Sequence, residues 1–94
     1  MTVIQMTPER FVIDENQVGR DLQKAVQAFA DSESEMVLDF SAVRRIDSAA
    51  VCALEEVASF AQRRGAKVAL HGVNIDIYKT LKLMKLTPHF SFVN

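Results

Sequence analysis

Two spacings of apolar residues alternate along the chain. Short extended-type runs recur at Val3-Ile4-Gln5-Met6, Arg10-Phe11-Val12-Ile13, Met36-Val37-Leu38-Asp39-Phe40, Lys67-Val68-Ala69-Leu70-His71 and Phe90-Ser91-Phe92-Val93. Their length and β-branched or aromatic content predict strands, with Met36 to Phe40 having the composition of a buried one. Between them the spacing lengthens to the helical repeat. Val18, Leu22, Ala25, Val26 and Phe29 fall on one helix face, and so do Ala50, Val51, Leu54, Val57, Ala58 and Ala61. Glu55, Glu56, Ser59, Gln62 and Arg63 occupy the opposite face of that second helix. Ile77, Tyr78, Leu81 and Met84 predict the inner positions of a third helix.

Punctuation between these segments fits the same elements. Thr7-Pro8-Glu9 is turn chemistry, since proline presets φ and lacks a donor, so the first two strands predict a small hairpin. Asp14 or Asn16 is placed to cap the first helix, which ends at the polar loop Asp31-Ser32-Glu33-Ser34-Glu35. Gly65 follows Arg63 and Arg64 as the residue that closes the second helix in a left-handed conformation. Asn74 is placed to cap the third helix, and Pro88 marks its end. Strands alternating with helices predict βα crossovers and parallel pairing. The expected fold is α/β: one domain over residues 1–94, with amphipathic helices packed on a mixed, mostly parallel sheet. The initial hairpin is what makes the sheet mixed.

Composition narrows the function classes. The 94 residues are 49% hydrophobic and 24% charged, which excludes a disordered chain. Eleven basic against twelve acidic residues give a net charge of −1, so no broad attraction to nucleic acid or anionic lipid is expected. Local basic clusters at Arg44-Arg45, Arg63 to Lys67 and Lys79 to Lys85 read as solvated faces. The lone Cys52 has no partner for an internal disulfide, and a packing role next to the core is expected for it. No stretch approaches a membrane span, and the first residues lack a signal-peptide pattern, so a cytoplasmic location is expected.

The chemistry expected to be absent is as informative. Three glycines form no phosphate loop, and one cysteine with two distant histidines forms no zinc pattern, so neither a cofactor nor a metal is expected. Ser48, His71 and Asp47 could be drawn as a triad, yet no nucleophile-elbow glycines surround Ser48. A non-enzymatic protein with no catalytic residue is therefore expected. What stands out is Ile46-Asp47-Ser48-Ala49-Ala50-Val51, an acid and a hydroxyl where a loop gives way to a helix. Free backbone N–H groups and the helix dipole favour negative charge there. Asp47 or Ser48 serves as an ordinary cap, and Ser48 is also a place where a phosphate would be stabilised.

The element order, with Leu38-Asp39-Phe40-Ser41, Ile46-Asp47-Ser48, Gly65 and Gly72-Val73-Asn74, resembles the STAS domain family. This family includes the anti-sigma factor antagonists and the cytoplasmic domains of sulfate transporters. The resemblance is good from Met36 to Phe92 and weaker before it. It implies a regulatory binding module resembling an anti-sigma factor antagonist, with Ser48 at the position phosphorylated by the partner kinase. Asp47, Ser48 and Ala49, with Arg44 and Arg45 beside them, are then the candidate partner-binding residues. The two arginines either pair with a phosphate or are simply solvated. The implied partners are an anti-sigma factor with serine-kinase character and a phosphatase, acting in transcription regulation. The segment Gly72-Val73-Asn74-Ile75-Asp76-Ile77-Tyr78 is similar to a second branch, the accessory subunit of the Mla phospholipid-transport ATPase. That branch implies an ABC-transporter ATPase as partner instead. Three positions differ from the antagonist pattern: Ala49-Ala50 replace a small residue and glycine, Val12-Ile13-Asp14-Glu15 replace a Gly-Glu-Leu/Ile-Asp segment, and the sequence ends at Asn94, where many antagonists are expected to continue into a further helix.

Overall fold

In the computed structural model, residues 9–29 and 35–93 are described. Four strands and three helices alternate. They are β1 (Glu9–Val12), α1 (Val18–Ala28), β2 (Glu35–Asp39), α2 (Ser48–Arg64), β3 (Lys67–His71), α3 (Ile75–Leu83) and β4 (Ser91–Val93). A 3-10 turn at Glu15–Gln17 leads into α1, and another at Thr87–His89 leads into β4. The sheet order is β1-β2-β3-β4, with every pairing parallel. The expected hairpin strand at Val3–Met6 lies outside the described residues, as does most of the turn at Thr7-Pro8; Glu9 already belongs to β1. The loop at 31–34 lies outside them too.

Strand register separates two sheet faces. Phe11, Leu38, Leu70 and Phe92 align across the four strands on one face. Met36 and Val68 extend that face, and Leu22, Leu54, Ile77 and Leu81 from the three helices join the same buried cluster. All three helices therefore cover one side of the sheet. That is what consecutive strand order produces when each crossover is right-handed. On the other face, Val12, Asp39, His71 and Val93 align.

Caps fix the starts of α2 and α3, whereas α1 has Gln17 at its N-cap without a side-chain bond, and the cap expected from Asp14 or Asn16 belongs to the turn before it. Asp14 accepts the Asn16 N–H at 2.8 Å and so opens the 3-10 turn before α1. Gly65 has φ 66° and donates its N–H to the carbonyls of Ala61 and Gln62, while Ala66 N–H reaches Ala61 at 2.8 Å. This closes α2 in the manner its sequence predicts. Every residue expected on the inner face of α2 is buried.

Two packing expectations are corrected. Cys52 is exposed rather than packed in the core. It stands three, four and seven residues before Glu55, Glu56 and Ser59, and thus on their outward face. In α3, Ile77 and Leu81 are buried, but Tyr78 and Met84 are 39% and 48% exposed. Tyr78 lies at the border, its ring edge-on to Phe92 of the edge strand at 5.0 Å. Met84 follows the last helical residue, where the chain leaves the inner face.

Candidate functional site

A parallel sheet in consecutive order brings the carboxyl ends of its strands to one rim. The loops β1–α1, β2–α2 and β3–α3 meet there. The middle loop, Phe40 to Asp47, carries the predicted site residues. It is anchored inward by the buried side chains of Phe40 and Val43 and sideways by polar contacts of Arg44. The Arg44 N–H donates to Glu15 Oε1 at 3.0 Å, and Asn74 Nδ2 donates to the Arg44 carbonyl at 2.9 Å. Asn74 also caps α3, accepting the Ile77 N–H at 2.9 Å. One asparagine thus starts α3 and pins the neighbouring loop.

At the start of α2, Asp47 and Ser48 divide two tasks. Asp47 is the N-cap: its Oδ1 accepts the Ala50 N–H at 2.8 Å, and its carbonyl accepts the Val51 N–H at 3.0 Å. Ser48 is the first helical residue and is exposed, and no hydrogen bond of its hydroxyl is found among the described residues. Of the two capping candidates, the structure selects the aspartate. Ala49 is exposed beside Ser48, while Ala50 turns into the core.

The two arginines part company. Arg44 directs its guanidinium toward Glu15, with Nε to Oε2 at 3.6 Å and a side chain 85% exposed, so the pair is weak. Arg45 makes no ion pair among the described residues. It lies between two shallow depressions, one shared with Gln17, Asp47 and Ala49, the other with Asp76 and Thr80. Among the described residues of this rim, Arg45 rather than Arg44 is the arginine that makes no ion pair.

A second polar group, which the sequence did not single out as a unit, sits under the same rim on the helix-free face. Asp39, the last residue of β2, is buried. It accepts the Ser41 hydroxyl and the Ser41 N–H, the latter at 2.9 Å. Arg10 on β1 donates to its Oδ2 at 2.9 Å. The same Arg10 nitrogen stands 2.9 Å from His71 Nδ1. Arginine can only donate, so in this contact the His71 ring nitrogen is the acceptor. The Ser41 hydroxyl is the largest influence on the Asp39 carboxyl; burial opposes it, and the Ser41 N–H and Arg10 reinforce it. The net result is a pKa lowered from 3.8 to about 2. Asp39 therefore joins β1, β2 and the site loop as a brace that is charged at neutral pH. Register alone could have revealed it, because Asp39 pairs with His71 and stands two residues beyond Val37, the partner of Arg10, on the same sheet face.

No group of His, Cys, Asp and Glu suited to a metal ion occurs among the described residues. Nor is any of the described helices long and apolar enough to cross a membrane. His71 is bound up with Arg10 at the foot of the rim, and His89 is exposed in the turn before β4.

The model of the STAS domain family matches residues 10–94, nearly the whole chain. The chain belongs to the STAS family. Its fold is shared with the crystal structure of a sulfate transporter family protein from Wolinella succinogenes, at 21% identity and a TM-score of 0.76, covering 97% of this chain and 80% of that one. It is also shared with a putative anti-sigma factor antagonist from Thermotoga maritima, at 17% identity and a TM-score of 0.71, covering 95% and 76%. No curated protein matches it significantly. STAS domains are generally non-enzymatic regulatory modules that interact with partner proteins. In this STAS domain the match takes in the rim, both arginines and the Asp47-Ser48 pair.

Proposed function

We propose that this STAS domain is a cytoplasmic regulatory module whose partner covers the rim around Asp47, Ser48, Ala49 and Arg45, and that phosphorylation of Ser48 releases that partner. The observation that carries this reading is the division of labour at α2. Asp47 supplies the cap, so the Ser48 hydroxyl is exposed and has no structural duty. A phosphate on Ser48 would lie at the positive end of a 17-residue helix, next to the N–H groups of Ser48 and Ala49, and would not disturb the cap. The Asp47 carboxylate opposes it, and Arg45 is placed to offset that repulsion. The domain thus keeps its fold, while a protein packed over the helix end meets new bulk and charge that it must desolvate.

The partner of this first reading is an anti-sigma factor with serine-kinase character, countered by a phosphatase. A second reading keeps the same surface and exchanges the partner for the ATPase of an Mla-type phospholipid transporter. The Gly72 to Tyr78 segment favours it. It predicts stable association that is indifferent to Ser48 phosphorylation. Affinity purification of wild type, Ser48→Ala and Ser48→Asp, with the phosphorylation state read by mass spectrometry, separates the two. Loss of the partner from Ser48→Asp alone supports the switch. Equal recovery by all three removes it, and recovery of an ATPase then supports the transporter reading.

A further inference from the structure

The outward face of α3 has the wrong composition for a helix that meets only water. Ile75 and Leu83 are 69% and 82% exposed. Residues 75, 79, 82 and 83 recur at helical spacing and form one stripe, Ile75, Lys79, Lys82 and Leu83, opposite the buried Ile77 and Leu81. Met84 and Lys85 follow directly past the helix end and are exposed. None of the three lysines makes an ion pair among the described residues. Asp76 is the acidic neighbour on this helix, and it lines the depression shared with Arg45 instead.

We propose that this stripe docks an acidic, amphipathic segment of the partner that covers Ser48; the inference rests on that reading of the rim. Two observations choose the occupant. The stripe begins at Ile75, next to Asn74, whose side chain holds the Ser48-bearing loop through Arg44. The α3 face is therefore continuous with the rim, and one partner can span both. The order of side chains along it then decides between a membrane and a protein. A helix that lies on a bilayer separates an apolar face from flanking lysines. Here Lys79 and Lys82 stand between Ile75 and Leu83, so no apolar face is free to insert. Carboxylates alternating with apolar side chains on a facing segment satisfy the whole stripe. The apolar ends supply the anchoring contacts, and the lysines supply register and encounter rate.

A photoreactive phenylalanine analogue placed at Leu83, at Ala49 or, as a control, at exposed Lys24 of the full chain in its source cells tests this. Leu83 and Ala49 are expected to give an adduct with one and the same protein, with Asp- or Glu-containing peptides attached at Leu83, and Lys24 is expected to give none. Combining Lys79→Glu and Lys82→Glu is expected to weaken the Leu83 adduct on the order of tenfold while the thermal midpoint of the purified domain stays unchanged. The proposal is overturned by lipid adducts alone, by no adduct at Leu83, by different proteins at the two positions, or by an adduct insensitive to charge reversal. If Ser48→Asp leaves both adducts in place, the phosphate switch fails while the α3 docking stands.

Discussion

Asp47 caps the helix on which Ser48 stands. Because the carboxylate holds the Ala50 N–H at 2.8 Å, the two adjacent polar residues have separable roles that stability measurements can tell apart. Asp47→Ala is expected to destabilise the domain by about 1 kcal/mol, and Ser48→Ala by less than about 0.5 kcal/mol. Urea denaturation of both variants checks this. Equal losses would mean that the serine shares the cap, and its freedom to be modified would then carry a structural cost.

Asp39 makes stability depend on acidity in a narrow window. Its pKa falls from 3.8 to about 2 on folding, so between those values the unfolded chain binds more protons and stability rises with pH. The contribution is about 2 kcal/mol, fully present above about pH 4 and lost as pH falls toward 2. Asp39→Asn is expected to flatten the stability profile over that interval relative to wild type. A profile with unchanged slope there would place the acid-sensitive group elsewhere.

Gly65 and Gly72 share a left-handed backbone but not a neighbourhood. A Cβ at Gly65 meets nothing within 4 Å, whereas at Gly72 it would lie 2.8 Å from the Ser41 Cβ and 2.9 Å from the Ser41 Cα. Gly65→Ala is therefore expected to cost about 1 kcal/mol, from backbone conformation alone. Gly72→Ala adds a collision with the main chain of the site loop and is expected to cost about 2–4 kcal/mol. Thermal melts rank the two, and the reverse order would refute the close approach.

Cys52 faces a groove between α1 and α2 lined by Leu22, Val26, Ala53 and Phe60. A thiol reagent is expected to modify it in the folded protein, at a rate within about tenfold of that in denaturant. Protection that persists until global unfolding would return it to the core.

Much of this was legible from spacing. The inner face of α2 and the caps at Gly65 and Asn74 followed from residue type and position, because a local hydrogen bond decides each cap, whereas Asp47 and Ser48 stood as alternative caps until the Ala50 N–H settled on Asp47. Cys52 was misplaced because its chemistry was read before its helical phase. Tyr78 and Met84 were misplaced for a different reason. The periodicity of α3 is genuine at Ile77 and Leu81, but Tyr78 lies at its border against Phe92 and Met84 follows the last helical residue. The brace of Arg10, Asp39, Ser41 and His71 spans 61 residues between Arg10 and His71. Only strand register joins them, and register is a tertiary property.

The clamp on Arg44 separates the position of a residue from its identity. Glu15 grips its amide and Asn74 grips its carbonyl, so the main chain at this point is fixed whatever side chain it bears. The guanidinium adds only a loose, solvent-screened pair to Glu15. Position 44 is thus an interchangeable tooth on a rigid frame. A substitution there leaves the loop in place, while a change at Glu15 or Asn74 would loosen the first and third helices from the loop that carries Ser48.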